Sequence, residues 1–159
     1  MIFISYTWQD DVYNRKNADR VRKLSTELKN IGWDVWIDCD KMYGNIDSCI
    51  ASGIDSCDAC IICLTEQYFC RVDCFNSVCK KEFIYSDNRD KIIIPVIMEK
   101  TLLNTKEWPN SILTMRFGNH LYVDASTNDM TKAAFYITKQ LSSYSIFPTP
   151  RKIIPLCYV

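Results

Sequence analysis

The chain has 159 residues, and its 19 basic and 19 acidic side chains cancel to a net charge of zero. One domain of this length buries a sizeable core without disulfides or metal ions, and the charge balance removes the broad positive field that collects nucleic acid. The longest apolar runs, residues 59–64 and 92–98, are far shorter than the roughly 20 residues of a membrane-spanning helix. We therefore expect no nucleic-acid partner and no membrane span.

The first residues and the cysteines indicate a reducing compartment. No basic segment followed by an apolar stretch precedes the first predicted strand, so we expect no secretory signal and a cytoplasmic protein. Nine cysteines are present, and this odd number argues against a complete disulfide framework. Cys57, Cys60 and Cys63 have the spacing of an iron–sulfur ligand set. Residues 59–64, however, indicate a buried strand, in which Cys60 and Cys63 point to opposite faces, so we predict core cysteines and no metal site.

Predicted strands and helices alternate along the chain. An apolar, β-rich run at residues 2–6 is followed by apolar positions at helical spacing as far as Gly32, where this first helix is predicted to end. Arg20, Lys23 and Glu27 are predicted on its solvated side. The remaining predicted segments are a strand at 33–37, a polar loop at 38–44, a helix at 46–54, a strand at 59–64, a connection at 65–72, a helix at 73–86, a strand at 91–98, an irregular segment at 101–118, a strand at 121–123 and a helix from about 129 to 144.

This alternation predicts a parallel sheet with helices on both faces and right-handed crossovers. In a sheet of strand order 2-1-3-4-5, the order reverses between the first and third strands. Ligands of such sheets bind beside that point, at the carboxyl ends of the strands. Residues 7–11, residues 38–45 and the approach to the helix at 73–86 are therefore expected to meet there. The strand at 91–98 contains Pro95, which cannot donate to a ladder, so an edge or a bulge is expected at that position.

The helix predicted at 73–86 carries a carboxylate on its apolar side. At 3.6 residues per turn, Glu82 shares one stripe with Phe75, Val78, Cys79, Phe83 and Ser86. A buried carboxylate costs free energy unless it is paired, and such groups collect in reactive clefts. Two interpretations follow: a carboxylate at the helix edge that pairs with Lys81 or with a neighbouring element, or a reactive carboxylate that faces the ligand site.

An ordered set of motifs over residues 1–144 resembles the TIR domain, the module named after the Toll and interleukin-1 receptors. These motifs are Phe3-Ile-Ser-Tyr6, Val35-Trp-Ile-Asp38 with Met42-x-Gly44, Gly53-Ile54, Cys63-Leu64-Thr65 with Tyr68, Cys79-x-x-Glu82 and Ile94-Pro-Val96. Three segments are most similar to TIR domains found beside other modules in invertebrates and protists: the opening Ile4-Ser-Tyr-x-Trp8, residues 79–86 and residues 108–124. The resemblance implies a flavodoxin-like three-layer αβα fold. Residues 145–159 leave the helical pattern and are interpreted as a linker or C-terminal tail.

The resemblance implies one of two functions, between which the fold does not choose. Some TIR domains are signalling adaptors that bind other TIR domains through the loop after the second strand, here Asp38, Met42 and Tyr43. Others are NAD⁺ glycohydrolases of immune or cell-death signalling, which release nicotinamide and ADP-ribose or a cyclic variant. Glu82 matches the catalytic glutamate of this second class. NAD⁺ is then the substrate, no cofactor is required, and self-association with other TIR domains switches the enzyme on.

The resemblance also assigns substrate contacts. Thr7 and Trp8 in the first loop and Tyr43 and Gly44 in the second occupy nucleotide-contacting positions. Val78 stands where the axon-degrading TIR enzymes of animals carry a tryptophan, four residues before the glutamate. Thr7 and Trp8 replace the first-loop arginines of those enzymes. The loss of an aromatic shelf and of two cations weakens the inferred contacts to nicotinamide and to the pyrophosphate.

Overall fold

The computed structural model describes residues 1–37 and 45–150. Its five strands form one parallel sheet in the order β2-β1-β3-β4-β5. The strands are β1 (Ile2–Ser5), β2 (Val35–Ile37), β3 (Ala59–Leu64), β4 (Ile92–Ile97) and β5 (Val123–Asp124). The α-helices of the described residues are α1 (Asn17–Ile31), α2 (Ile46–Ser56), α3 (Glu66–Asp73), α4 (Val78–Asn88), α5 (Ile112–Phe117) and α6 (Met130–Ser142). The predicted flavodoxin-like α/β fold and its strand order are confirmed.

Helices cover both faces of the sheet. Successive side chains of a strand point to opposite faces, so Ile61 of β3 packs towards α1 and α6, whereas Ile62 packs towards α3, α4 and α5. On the second face, Phe3 and Trp36 stack with ring centroids 4.6 Å apart beneath α2. None of the helices in residues 1–37 and 45–150 combines the length and the apolar character that crossing a membrane requires.

The cysteines of β3 lie on opposite faces, as predicted. Cys60 packs beside Trp36, with its sulfur 3.6 Å from the sulfur of Cys57, and Cys63 belongs to the core beneath α1 and α6. Burial raises the pKa of Cys63 to about 12, so this side chain is a neutral thiol at physiological pH. These cysteines therefore fill the core, and Cys60 and Cys63 cannot reach one metal ion.

The predicted helix at 73–86 is wrong in its starting point. Helix α3 occupies most of the predicted connection, a turn follows, and Ser77 then caps α4 by accepting a hydrogen bond from the amide of Lys80 at 3.1 Å. Phe75 lies in the turn and is 89% exposed, and Val78 is 40% exposed, so neither belongs to the buried stripe. The rest of the predicted stripe is buried, namely Cys79, Glu82, Phe83 and Ser86.

Arg20 is buried, which contradicts its predicted place on the solvated side of α1. Its guanidinium donates to the carbonyl oxygens of Met98 and Ala125 at 2.9 Å each and to the carboxylate of Asp11 at 3.1 Å. Met98 and Ala125 lie far from Arg20 in the sequence, so the helical period of α1 alone could not place Arg20. The other end of α1 follows the prediction, because Gly32 closes the helix with a φ of 114° that favours glycine.

Strands β4 and β5 meet only over a short stretch. β5 pairs with Val96 and Ile97, so within the described residues Pro95 has a neighbouring strand on the β3 side alone. The edge expected at this proline is therefore present, and the proline removes no hydrogen bond from the ladder. The fifth strand, predicted at 121–123, begins two residues later in the structure. Pairing starts at Val123, and Leu121 is 81% exposed.

Candidate active site

A cavity of about 630 Å³ opens at the carboxyl end of β1, beside the point where the strand order reverses. Its wall consists of residues 6–9 after β1, Ile46 at the start of α2, Arg71 of α3, and residues 76–79 at the start of α4. Open α/β sheets bind their ligands at this position, and the volume suits a nucleotide. The first loop and the start of α4 thus meet as the sequence predicted.

Predicted substrate contacts from two elements line this cavity. Trp8 is 63% exposed, Val78 is partly exposed, and Thr7 is buried beneath the loop. The hydroxyl of Thr7 donates to Oε1 of Gln9 at 2.5 Å, and its carbonyl oxygen accepts a hydrogen bond from Nδ2 of Asn17 at 2.7 Å. These bonds fix the loop, so Trp8 presents its indole ring from a braced backbone.

The remaining predicted contacts lie outside the described residues. They are the substrate contacts Tyr43 and Gly44 and the interaction-loop residues Asp38 and Met42. Their roles stay predictions.

Glu82 lies behind the cavity wall and is only 2% exposed. It follows Val78 and Cys79 by one helical turn, so it sits deeper along α4 than the residues that line the cavity. Ser5, the last residue of β1, donates a hydrogen bond to Oε2 of Glu82. Lys81 pairs with Asp47 at 2.9 Å, so Glu82 is neither at the helix edge nor the partner of this lysine.

Tyr68 completes a chain of hydroxyl groups that ends at Glu82. Its Oη lies 2.7 Å from Oγ of Ser5, which donates to Glu82, and 3.4 Å from the carbonyl oxygen of Cys79, to which it can also donate. Tyr68 is fully buried, and burial together with the nearby Cys79 and Glu82 raises the pKa of its phenol well above the usual range. The phenol therefore remains protonated and can donate.

A contact between Tyr6 and Cys79 closes the wall in front of Glu82. The thiol of Cys79 donates to the carbonyl oxygen of Tyr6 at 3.6 Å, which joins the loop after β1 to the first turn of α4. Both residues line the cavity, whereas Glu82 lies behind them. A ligand in the cavity meets Tyr6 and Cys79 before it can reach the carboxylate.

The wall of the cavity is uncharged except for Arg71. The N-terminal turn of α4 also lines the cavity and carries no acidic side chain, so its partial positive charge faces this space. Arg71 is not identified from the sequence, because residues 65–72 are predicted as a connection, and Gln9 is predicted only as part of the loop at 7–11. The helical spacing of Tyr68, Phe69 and Val72 was the available signal, since it leaves Arg71 on the opposite side of a helix.

No group of three or more histidine, cysteine, aspartate or glutamate side chains able to hold a metal ion occurs within residues 1–37 and 45–150. In and behind the cavity wall the described residues place a buried carboxylate with a hydroxyl donor, an exposed indole ring and a guanidinium group.

Comparison with known proteins identifies the family. A family model described as TIR domain matches residues 2–137. No curated protein sequence is significantly similar to the chain. Among solved structures, the CMP N-glycosidase BcmB of Clostridium botulinum has a similar fold, with 18% sequence identity and a TM-score of 0.52 over 90% of this chain and 98% of that chain. Because the family model spans most of its length, this chain belongs to the TIR-domain family.

Proposed function

We propose that this TIR domain is an NAD⁺ glycohydrolase in which Glu82 is the essential carboxylate. The observation that carries the proposal is the placement of Glu82, buried and hydrogen-bonded by Ser5 one turn behind a nucleotide-sized cavity. A structure of similar fold is described as a CMP N-glycosidase, which is an enzyme that cleaves a glycosidic bond to nitrogen in a nucleotide. Cleavage of the nicotinamide–ribose bond of NAD⁺ belongs to the same class of reaction.

The reaction suits a single carboxylate. Nicotinamide carries a positive charge in NAD⁺ and leaves as a neutral molecule with the electron pair of the broken bond, so no general acid is needed. Positive charge then builds on the ribose, as in glycoside hydrolysis, and water adds to the sugar carbon and releases a proton. A carboxylate beside the sugar stabilises this charge, an effect worth about 3–4 kcal/mol for one preorganised group. In the proposed site Ser5 keeps the Glu82 carboxylate oriented for this task.

Activation by self-association is part of the proposal. Glu82 is closed off by the contact between Tyr6 and Cys79, so the ribose reaches it only after the loop and the first turn of α4 separate. A thiol-to-carbonyl contact of 3.6 Å is weak compared with the backbone bonds of the sheet. Assembly with other TIR domains that favours the open form would raise activity by mass action. We place this activity in cytoplasmic immune or cell-death signalling.

The decisive experiment compares nicotinamide release from NAD⁺ by the wild-type chain and by Glu82→Gln, at high protein concentration and with a crowding agent. The substitution keeps the shape of the side chain and removes its charge, so we expect activity to fall by about 100-fold or more. Asp87→Asn is the matched control on the same helix, because Asp87 pairs with Arg116 away from the cavity. Equal turnover by wild-type and Glu82→Gln chains would refute the proposal.

A signalling adaptor without turnover is the second candidate, and the burial of Glu82 favours it. Such an adaptor would bind other TIR domains through the loop that contains Asp38, Met42 and Tyr43. In that case partner capture survives Glu82→Gln, fails when Met42, Tyr43 and Gly44 are replaced together, and is accompanied by no nicotinamide release from the wild-type chain.

A further inference from the structure

Arg71 differs from the other arginines of the described chain in having no carboxylate partner. The others form ion pairs with aspartates: Arg15 and Arg20 with Asp11, Arg22 with Asp19, Arg89 with Asp55 and Arg116 with Asp87. Arg71 is exposed on the cavity wall, and within residues 1–37 and 45–150 no acidic side chain neutralises it. A guanidinium group on the wall of a cavity without a counter-ion is available to an anionic ligand.

Two neighbours hold Arg71 in place. Its Nε donates to Oε1 of Gln9 at 3.1 Å, and the same oxygen accepts the hydrogen bond from Thr7, so the side chain is tied to the first loop. Its carbonyl oxygen accepts a hydrogen bond from the hydroxyl of Ser77, which fixes its backbone to the start of α4. The two terminal nitrogens, Nη1 and Nη2, have no acceptor in the described part of the chain. They form the fork that matches two phosphate oxygens.

We propose that Arg71 binds the phosphate groups of the substrate, so that this site selects nucleotides over nucleosides. The proposal rests on the glycohydrolase function proposed above and adds the part of the substrate that the protein recognises. Arg71 is the charged side chain of the described cavity wall, so a bound pyrophosphate would find its counter-charge there.

The kinetic test uses three substrates that release nicotinamide: NAD⁺, nicotinamide mononucleotide and nicotinamide riboside. We expect Arg71→Gln to lower kcat/KM by about 10-fold or more for the two phosphate-bearing substrates, mainly through KM. The value for the riboside is expected to stay unchanged, because it has no phosphate. Arg71→Lys should retain part of the effect, and Arg22→Gln, an exposed arginine of α1 outside the cavity, is the control. An equal loss for all three substrates would indicate a structural role and overturn the proposal.

A binding measurement separates this proposal from the catalytic one. Calorimetric titration of the full chain with ADP-ribose and with adenosine needs no turnover. We expect Arg71→Gln to weaken ADP-ribose binding by about 10-fold and to leave adenosine binding unchanged. If the wild-type chain releases no nicotinamide yet binds ADP-ribose in an Arg71-dependent way, the glycohydrolase proposal fails and the phosphate site stands. If the wild-type chain does not bind ADP-ribose, or Arg71→Gln binds it equally well, the phosphate site is refuted.

Discussion

Asp11 braces the loop that carries the candidate substrate contacts. Its carboxylate is inaccessible to solvent and accepts hydrogen bonds from Nε of Arg15 at 2.6 Å and from Nη1 of Arg20 at 3.1 Å. Both guanidinium groups also donate to the carbonyl oxygen of Met98, just after β4. The loop between β1 and α1 is thereby held to the chain at the carboxyl end of β4. Thr7 and its neighbours on the cavity wall therefore depend on a charge cluster behind them.

Asp11→Asn is expected to lower the free energy of unfolding by about 3–5 kcal/mol at pH 7, because it leaves the buried Arg20 without its counter-charge. Burial pushes the pKa of Asp11 upwards, but the hydrogen bonds from Arg15 and Tyr13 outweigh it and hold the pKa below the usual 3.8. A lowered pKa stabilises the fold above pH 3.8, and this contribution is lost as the pH falls through the folded-state pKa.

Urea unfolding at pH 7 and in acid checks this expectation. The difference between wild type and Asp11→Asn should shrink in acid, where both side chains are uncharged. Asp19→Asn serves as the control, since its pair with Arg22 is exposed and should contribute less than about 1 kcal/mol. A difference that does not change with pH would show that packing, and not charge, explains the cost.

The environment of a residue can be predicted from the sequence where the helical spacing of its neighbours alone determines it. Glu82 is such a case, because its neighbours on the stripe are at fixed helical spacing and only its own helix had to be known. Arg20 was not, since its partners Met98 and Ala125 are close only in the folded chain. Arg71 was missed for a related reason: its place on the cavity wall depends on how α3 packs beside the first loop.

The start of α4 is the element that links stability to the site. Ser77 accepts a hydrogen bond from the amide of Lys80 and donates one to the carbonyl oxygen of Arg71. We expect Ser77→Ala to lower the free energy of unfolding by about 1 kcal/mol, which is typical for a lost N-cap. We also expect it to raise KM for NAD⁺, since the cavity wall on both sides of the turn becomes less ordered.

Asp129→Ala is the matched control for this element, because Asp129 caps α6 by accepting from the amide of Lys132 at 3.0 Å, away from the cavity. It should cost similar stability in urea unfolding and leave KM unchanged. The same KM for both variants would mean that the order of the α4 start does not matter for substrate binding.

The sequence predicts the elements correctly where strands and helices alternate regularly. It fails between α3 and α4, where apolar residues keep the helical spacing across the break between two helices. The alternation of strand and helix predicts a parallel sheet with right-handed crossovers, and the order 2-1-3-4-5 is that of the flavodoxin-like fold which the resemblance implies. The break between α3 and α4 was hidden because Phe75 extends the period of Glu82. The extended backbone of Cys74, the left-handed backbone of Asn76, with φ of 61°, and the cap at Ser77 mark that boundary in the structure.

At the scale of the whole molecule, the proposed mechanism predicts that activity per molecule rises with protein concentration. The described form keeps Glu82 behind Tyr6 and Cys79, so an isolated chain spends free energy to expose it. Copies that bind one another in the open form supply that free energy by mass action. The formal net charge of zero removes the long-range repulsion that would oppose such assembly.

Nicotinamide release per mole of protein should therefore be measured over a wide range of concentrations, with light scattering on the same samples and Glu82→Gln as the background. We expect specific activity to increase together with particle mass, and dilution to reverse both. Constant specific activity while particle mass grows would mean that the single chain opens the path to Glu82 by itself. The contact between Tyr6 and Cys79 would then be a fluctuating part of the cavity wall, and Cys79→Ala should leave activity unchanged.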